Sequence, residues 1–194
     1  MSKILISGYY GFANAGDEAM LTAIIESLRQ VEKNVELTVL SGNPEDTAAK
    51  HQVCSVYRFN PLGIIRAMKD SELIISGGGS LLQDVTSKRS LLYYLSIIGL
   101  GKFFGKKVML FAQGIGPIRA KWARKLTSLV CNEADLITVR DSESAAELIE
   151  MGVKPEKITV TADSVLSLNP VTKECGQYLL QEAGVDLTKP VIGI

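Results

Sequence analysis

The feature that most constrains this chain is an alternation. Seven short apolar, β-branched runs recur along it, at residues 3–7, 35–40, 53–57, 73–76, 107–112, 136–139 and 158–161, and helix-period stretches separate most of them. Runs of this kind, without a polar face, suit strands buried on both sides. Between the first two, residues 17–31 set Met20, Leu21, Ile24 and Leu28 on one face of a helix. Further helices are expected over 61–69, opening on Pro61, over 87–104, and over 142–151, closed by Gly152. Another is expected over 120–133, with Trp122, Leu126, Leu129 and Val130 as its buried stripe. Buried strands joined by helices fold as a parallel sheet with right-handed crossovers. The expected class is therefore α/β, a Rossmann-like parallel sheet sandwiched by helices. Beyond Asn169-Pro170 comes one more helix, over 173–183, then Lys189-Pro190-Val191-Ile192-Gly193-Ile194. The predicted division is a domain over 1–168, a linker and helix over 169–189, and the first strand of a truncated second domain over 190–194.

Composition narrows the function classes. Hydrophobic residues make up 46% of the 194, enough to bury a core. Cys54, Cys131 and Cys175 are too widely spaced for a disulfide framework or a CxxC knuckle. A single histidine, His51, excludes a His-rich metal centre; it falls in a polar segment and reads as a surface residue. The longest apolar stretch, residues 91–101, is about half the ~20 residues a membrane span needs. The N-terminus runs straight into a strand with no secretory h-region. A soluble, cytoplasmic protein without a nucleic-acid partner is expected. Net charge is zero, 21 cations against 21 anions, but from Val85 to Cys131 there is no Asp or Glu and nine Lys or Arg. That window reads either as solvated helix faces or as a basic surface.

Ligands of open parallel sheets bind beyond the carboxyl ends of the strands, and three glycine-bearing turns fall there. In Gly8-Tyr9-Tyr10-Gly11-Phe12-Ala13-Asn14-Ala15-Gly16-Asp17-Glu18 the spacing of Gly11 and Gly16 matches a phosphate loop. Asp17-Glu18 stands where the lysine and hydroxyl belong, so a Walker site is excluded. A dinucleotide fingerprint is absent as well. Asn14 could cap the helix or bind a hydroxyl, and Asp17 and Glu18 could face a ligand or complement the helix dipole. The second turn, Gly77-Gly78-Gly79-Ser80-Leu81-Leu82-Gln83-Asp84, places three costly glycines in a row, which implies close approach to the backbone or positive φ. Asp84 is a candidate general base, a sugar-hydroxyl acceptor or a helix cap. The third, Ala112-Gln113-Gly114-Ile115-Gly116-Pro117, sets Gln113 after an apolar strand, as a side chain lining a cleft. Arg140 follows the sixth strand and could bind an anion or pair with a carboxylate. Asp163 follows the seventh and reads as a turn residue.

These blocks together, in this order and with Arg140-Asp141, resemble the polysaccharide pyruvyl transferase family, most closely its cell-surface-anchoring (CsaB-type) branch. The resemblance implies the N-terminal half of a GT-B-like two-domain enzyme. Such an enzyme moves the enolpyruvyl group of phosphoenolpyruvate onto a cell-wall polysaccharide sugar, N-acetylmannosamine in that branch, as a ketal on which surface-layer proteins dock. It implies no cofactor, with phosphoenolpyruvate as donor substrate, and a lipid-linked glycan acceptor. Carried over by motif, Asp84 is the catalytic base. Gly11, Asn14, Asp17, Glu18, Gly77, Gly78, Gly79, Gln113 and Arg140 line the substrate crevice. The phosphoenolpyruvate residues of the family lie in the C-terminal domain, so residues 1–194 alone are expected to be inactive. Ala162-Asp163-Ser164 departs from the Ala-Asp-Pro that the family pattern leads one to expect. The basic window, with Phe103, Phe104, Lys102, Lys106, Lys107 and Trp122, would then dock at the anionic inner face of the membrane, or be ordinary core and surface. The alternatives are a GT-B nucleotide-sugar glycosyltransferase and a non-catalytic glycan-binding module.

Overall fold

Ile4, Leu5 and Ile6 decide where the first strand, β1 (Lys3–Tyr10), must lie. Leu5 packs into one hydrophobic layer and Ile4 and Ile6 into the other, so the strand has no solvent face and takes the middle of a sheet. The computed structural model describes residues 2–192. After β1 come α1 (Ala15–Val31), β2 (Glu36–Ser41), α2 (Pro44–His51), β3 (Cys54–Tyr57), α3 (Pro61–Asp70), β4 (Leu73–Ser76) and β5 (Gly79–Leu82). The chain continues through α4 (Lys88–Phe103), β6 (Lys107–Ile115), α5 (Lys121–Glu133), β7 (Leu136–Val139), α6 (Ser142–Glu150), β8 (Ile158–Val160) and α7 (Lys173–Glu182). The sheet order is β3-β2-β1-β4-β6-β7-β8, with β5 set against β6. Every pairing is parallel, in registers such as Leu5↔Thr38 and Leu5↔Ile74.

The two layers follow from connectivity. α1 covers one face through Leu21, Ile24 and Ile25, and Arg29 Nη2 ties it to the end of α2 by donating to the carbonyls of His51 and Gln52 at 3.1 and 2.8 Å. The opposite face buries Ile64 and Met68 of α3, Leu91, Leu95 and Ile98 of α4, and Leu148 of α6. Strand order reverses between β1 and β4, the switch point at which doubly wound sheets open a crevice. Helix starts are set by side-chain caps at Asn14, Asn43, Asn60, Ser87, Asp141 and Thr172.

Three elements depart from the sequence reading. β5 and α2 are additional: β5 emerges directly from the triple glycine, and α2 carries His51 at its end. In α5 the buried stripe is Ala123, Thr127 and Cys131; Trp122 is 47% and Leu129 59% exposed. The helix turns its small residues inward on the side that meets α4; Leu126 and Val130 of the expected stripe pack half-buried against the core, and Trp122 and Leu129 lie outside. Among the described residues no helix is long and apolar enough to cross a membrane. Of the strand expected over 190–194, residues 190–192 carry no regular structure, and 193 and 194 lie outside the described residues.

Candidate functional site

The three glycine turns do gather on one rim, the carboxyl edge of β1, β4, β5 and β6, with the ends of β7 and β8 beside them. The first loop is closed by its own acids. Asn14 Oδ1 accepts from the N–H groups of Gly16 and Asp17 at 3.0 and 3.2 Å. Glu18 Oε1 accepts from the Gly11 N–H at 2.8 Å, and its Oε2 lies 3.5 Å from His51 Nε2. Gly11 adopts φ 76° because the loop crosses the end of β2, where a Cβ would strike Ser41 Oγ and the Asn43 N–H. Gly11 and Glu18, expected on a ligand, are thus engaged with each other, and Asn14 takes its alternative role as the cap of α1. His51, expected at the surface, has a largely buried side chain against Glu18.

Asp17 is different. Burial and the adjacent Glu18 hold its carboxyl above the usual range. It lines a cleft of about 290 Å³ together with Tyr9, Ser80, Gln83, Thr86 and Tyr94.

The close approach that the triple glycine demands is real, but the chain itself makes it. Gly77, Gly78 and Gly79 are all buried. A Cβ on Gly77 would enter the Tyr10 hydroxyl, and on Gly78 it would lie 3.1 Å from Met20 Sδ. Gly79, at φ 90°, would put one 3.3 Å from Asp17 Oδ1. The expectation that these glycines touch substrate is corrected accordingly: they seat α1 on the sheet. Gln113, expected to line the cleft, is fully buried beneath the same turn, where Nε2 donates to Ser76 Oγ at 2.9 Å and to the Gly77 carbonyl at 3.0 Å. A polar residue following an apolar strand is here an internal brace.

Asp84 bridges two loops. Its two carboxylate oxygens accept from the N–H groups of Arg119 and Ala120, each at 2.9 Å, and those bonds hold its carboxyl below the ordinary range. An anion with both oxygens committed to amides is a weak proton acceptor. The arrangement favours a clamp over the base role expected of it.

Arg140 lies flat over Gly114, where a Cβ would be 2.8 Å from its Nε, Cζ and Nη2. From there it donates to Ser80 Oγ at 3.2 Å, Asp163 Oδ2 at 3.4 Å and Asp141 Oδ2 at 3.3 Å. Asp163 also accepts from Val165 N–H at 3.2 Å, so it is both turn former and Arg140 partner. Ser80 is exposed, and it joins the guanidinium to the cleft that holds Asp17. Of the nine cations in the basic window, Lys102 and Lys107 pair with Asp135, and Arg124 with Glu147 and Glu150. A groove of about 370 Å³ lined by Lys3, Glu36, Cys54 and Arg66 lies at the amino ends of β1–β3, the edge away from the rim.

Sequence reasoning passed over Arg58. It follows β3 at the same kind of strand end as Arg140, and that shared position was the available signal.

A family model described as polysaccharide pyruvyl transferase matches residues 14–178. No curated protein matches the sequence. Among solved structures the chain is similar to HepE of Anabaena, solved with UDP and glucose, with a TM-score of 0.59 at 12% identity over 95% of this chain and 50% of that one. It is similar to UDP-GlcNAc 2-epimerase of Neisseria meningitidis bound to UDP-GlcNAc, with a TM-score of 0.54 at 13% identity over 93% and 50%. It also resembles MnaA of S. aureus with UDP, with a TM-score of 0.51 at 15% identity over 92% and 52%. At these identities the likeness is one of fold, the GT-B type of half-domain. The chain spans about half the length of the solved structures it matches.

Proposed function

The chain belongs to the polysaccharide pyruvyl transferase family, and from that premise we propose that it forms the N-terminal, acceptor-side wall of an enzyme that pyruvylates a cell-wall glycan. The donor is phosphoenolpyruvate and the acceptor an N-acetylmannosaminyl unit, as in the cell-surface-anchoring branch. In this reading residues 1–168 are the N-terminal domain and 169–189 the linker with α7. A second domain supplies the opposite wall, and residues 1–194 alone turn over little substrate.

Ketal formation adds a proton to the methylene carbon of the enol and joins two sugar oxygens to its substituted carbon. Phosphate leaves with the bonding pair, and the hydroxyl protons pass to a base and to solvent. A proton carrier and a cation are therefore needed. Asp17, whose neutral form is favoured by its surroundings, suits the proton carrier. Arg140 suits the donor's phosphate or carboxylate, by its planar fork. The observation that carries the reading is Ser80: one exposed hydroxyl bonds the guanidinium and lines the same cleft as the raised carboxyl.

The test is phosphate release from phosphoenolpyruvate with an N-acetylmannosaminyl acceptor, in protein that includes the second domain. Asp17→Asn is expected to lose 10²-fold or more in kcat, of the order general acid–base catalysis supplies. Wild-type kcat in that variant would refute the assignment. A nucleotide-sugar glycosyltransferase is the second reading, favoured by the fold shared with HepE, which was solved with UDP and glucose. Thermal shifts with phosphoenolpyruvate and with UDP-sugars separate the two. A glycan-binding module predicts no turnover with either.

A further inference from the structure

Arg58 is left without a role by the rim described above. Its side chain follows β3 and is only 4% exposed. Among the described residues no carboxylate lies within ion-pairing distance of it. Its Nη2 donates to Tyr94 Oη at 3.4 Å, the long limit of a hydrogen bond, while Nε and Nη1 are buried with no partner. Five aromatic rings surround the guanidinium, their centroids 4.4 Å (Tyr93), 5.2 Å (Phe59), 5.4 Å (Phe12), 5.5 Å (Tyr94) and 5.9 Å (Tyr9) from Cζ. Ring faces stabilise the charge but offer no lone pairs to its in-plane N–H groups. A buried arginine is ordinarily paired, because an unanswered charge and its donors are expensive to desolvate.

The neighbours repeat the pattern. Tyr93 Oη and Ser7 Oγ are buried without partners. Burial holds the Tyr93 and Tyr94 phenols above their ordinary range, so both stay protonated and able to donate. Donors therefore converge from β1, α4 and the end of β3, and apart from one another's hydroxyl oxygens they meet no carboxylate among the described residues. Because they come from several directions, they suit a tetrahedral oxyanion better than a planar carboxylate.

Arg58 also lines a cleft of about 310 Å³ whose other walls are mostly apolar, with Phe59, Pro61, Ile64, Ile97 and Leu100 beside Tyr93 and Ser96. On the far side Tyr9 and Phe12 stack at 4.3 Å as a cover, each 41% exposed. We propose that Arg58 and its hydroxyl neighbours bind the phosphate of a ligand whose remaining part is apolar, held in the Ile64–Leu100 cleft. The site adjoins the Asp17 cleft, with which it shares Tyr9 and Tyr94, and it stands whether or not the pyruvyl-transfer reading holds.

The experiment is thermal melting of the protein with n-hexyl phosphate, inorganic phosphate and phosphoenolpyruvate, for wild type, Arg58→Met and Arg58→Lys. At about a hundredfold excess over Kd, hexyl phosphate is expected to raise the wild-type Tm by about 5–10 °C. Arg58→Met is expected to lose that rise entirely. It is also expected to melt no lower than wild type without ligand, since it removes an unpaired buried charge. Arg58→Lys should bind at least tenfold more weakly, having lost the fork. A second readout needs no variant that could misfold: the wild-type Arg58 Nε–Hε resonance should move on titration with hexyl phosphate. Equal shifts from inorganic phosphate or phosphoenolpyruvate would overturn the apolar assignment. A hexyl phosphate shift that survives in Arg58→Met, or an unmoved Nε–Hε resonance, would overturn the site.

Discussion

Replacing Gly114 by alanine separates the placement of Arg140 from the stability of the fold. The added Cβ would stand 2.8 Å from three atoms of the guanidinium plane, against an ordinary contact of about 3.5–4 Å, so the plane must lift by roughly 1 Å. The bonds to Ser80, Asp163 and Asp141 are already 3.2, 3.4 and 3.3 Å long and would be lost by such a move. Little stability goes with them. The Arg140 side chain is 36% exposed, and ion pairs of that kind contribute about 1 kcal/mol or less. Against that, alanine is about 0.5–1 kcal/mol better than glycine inside a strand. The net change is within about 1 kcal/mol, which moves Tm by no more than about 4 °C in a chain of this size. Catalysis is far less tolerant, because a 1 Å misplacement can cost about 10²-fold. The expected outcome is thus a normal melting curve with kcat/KM for phosphoenolpyruvate reduced 10- to 100-fold, close to that of Arg140→Ala. The assay is phosphate release beside differential scanning calorimetry of the same samples. A folded Gly114→Ala protein with wild-type kcat/KM would refute the reasoning, since Arg140 would then be indifferent to its seat.

Asp17→Asn should stabilise the protein at pH 7 while it removes turnover. The folded pKa of Asp17 lies above 3.8, so the native state holds more protons than the unfolded one between the two values and loses stability as pH rises through that window. The Tm gain of the variant should therefore be full above the folded pKa and absent below about pH 3.8, as a pH series of melts would show. Ala123→Leu should overpack the α4–α5 contact at a cost of about 1–3 kcal/mol, whereas Trp122→Ala, on the exposed face, should change Tm by about 2 °C or less. The reverse order in thermal melts would restore Trp122 to the core.

Much of the fold was readable because apolar periodicity reports burial directly. β4 and β7 fall where residues 73–76 and 136–139 predict them, and α1 turns Leu21 and Ile24 inward as its period requires. Periodicity was half right in α5: Leu126 and Val130 pack against the core, but Ala123, Thr127 and Cys131 take the inward face that Trp122 and Leu129 were expected to share, and give a narrower contact. The site was harder for a related reason. A run of glycines announces that something comes close, but it says nothing of what does. Here Tyr10 and Met20 come close to Gly77 and Gly78, not a ligand. Gln113 and Asp84 are polar residues at strand ends, and their partners, Ser76, Arg119 and Ala120, lie about 35 residues away in sequence. Arg58 was hidden because its rings come from three separated segments, around Tyr9, Phe59 and Tyr93.

That outcome changes what the glycines are for. Asp17 rides on α1, and α1 is seated by the room left at Gly78 and Gly79. Arg140 is seated by the room left at Gly114, and Ser80 stands between them on β5. The distance between the raised carboxyl and the guanidinium is therefore set by missing Cβ atoms on β4–β6, although none of those glycines faces the cleft. A rim fixed in this way cannot easily close on a small donor by itself, since both groups rest on packed elements braced by the buried Gln113 and by the Asp84 clamp at the surface. In the pyruvyl-transfer reading the closing motion must then come from the opposing wall. Substitutions at Gly78, Gly79 or Gly114 should accordingly depress kcat by altering a spacing, not by removing a contact with substrate.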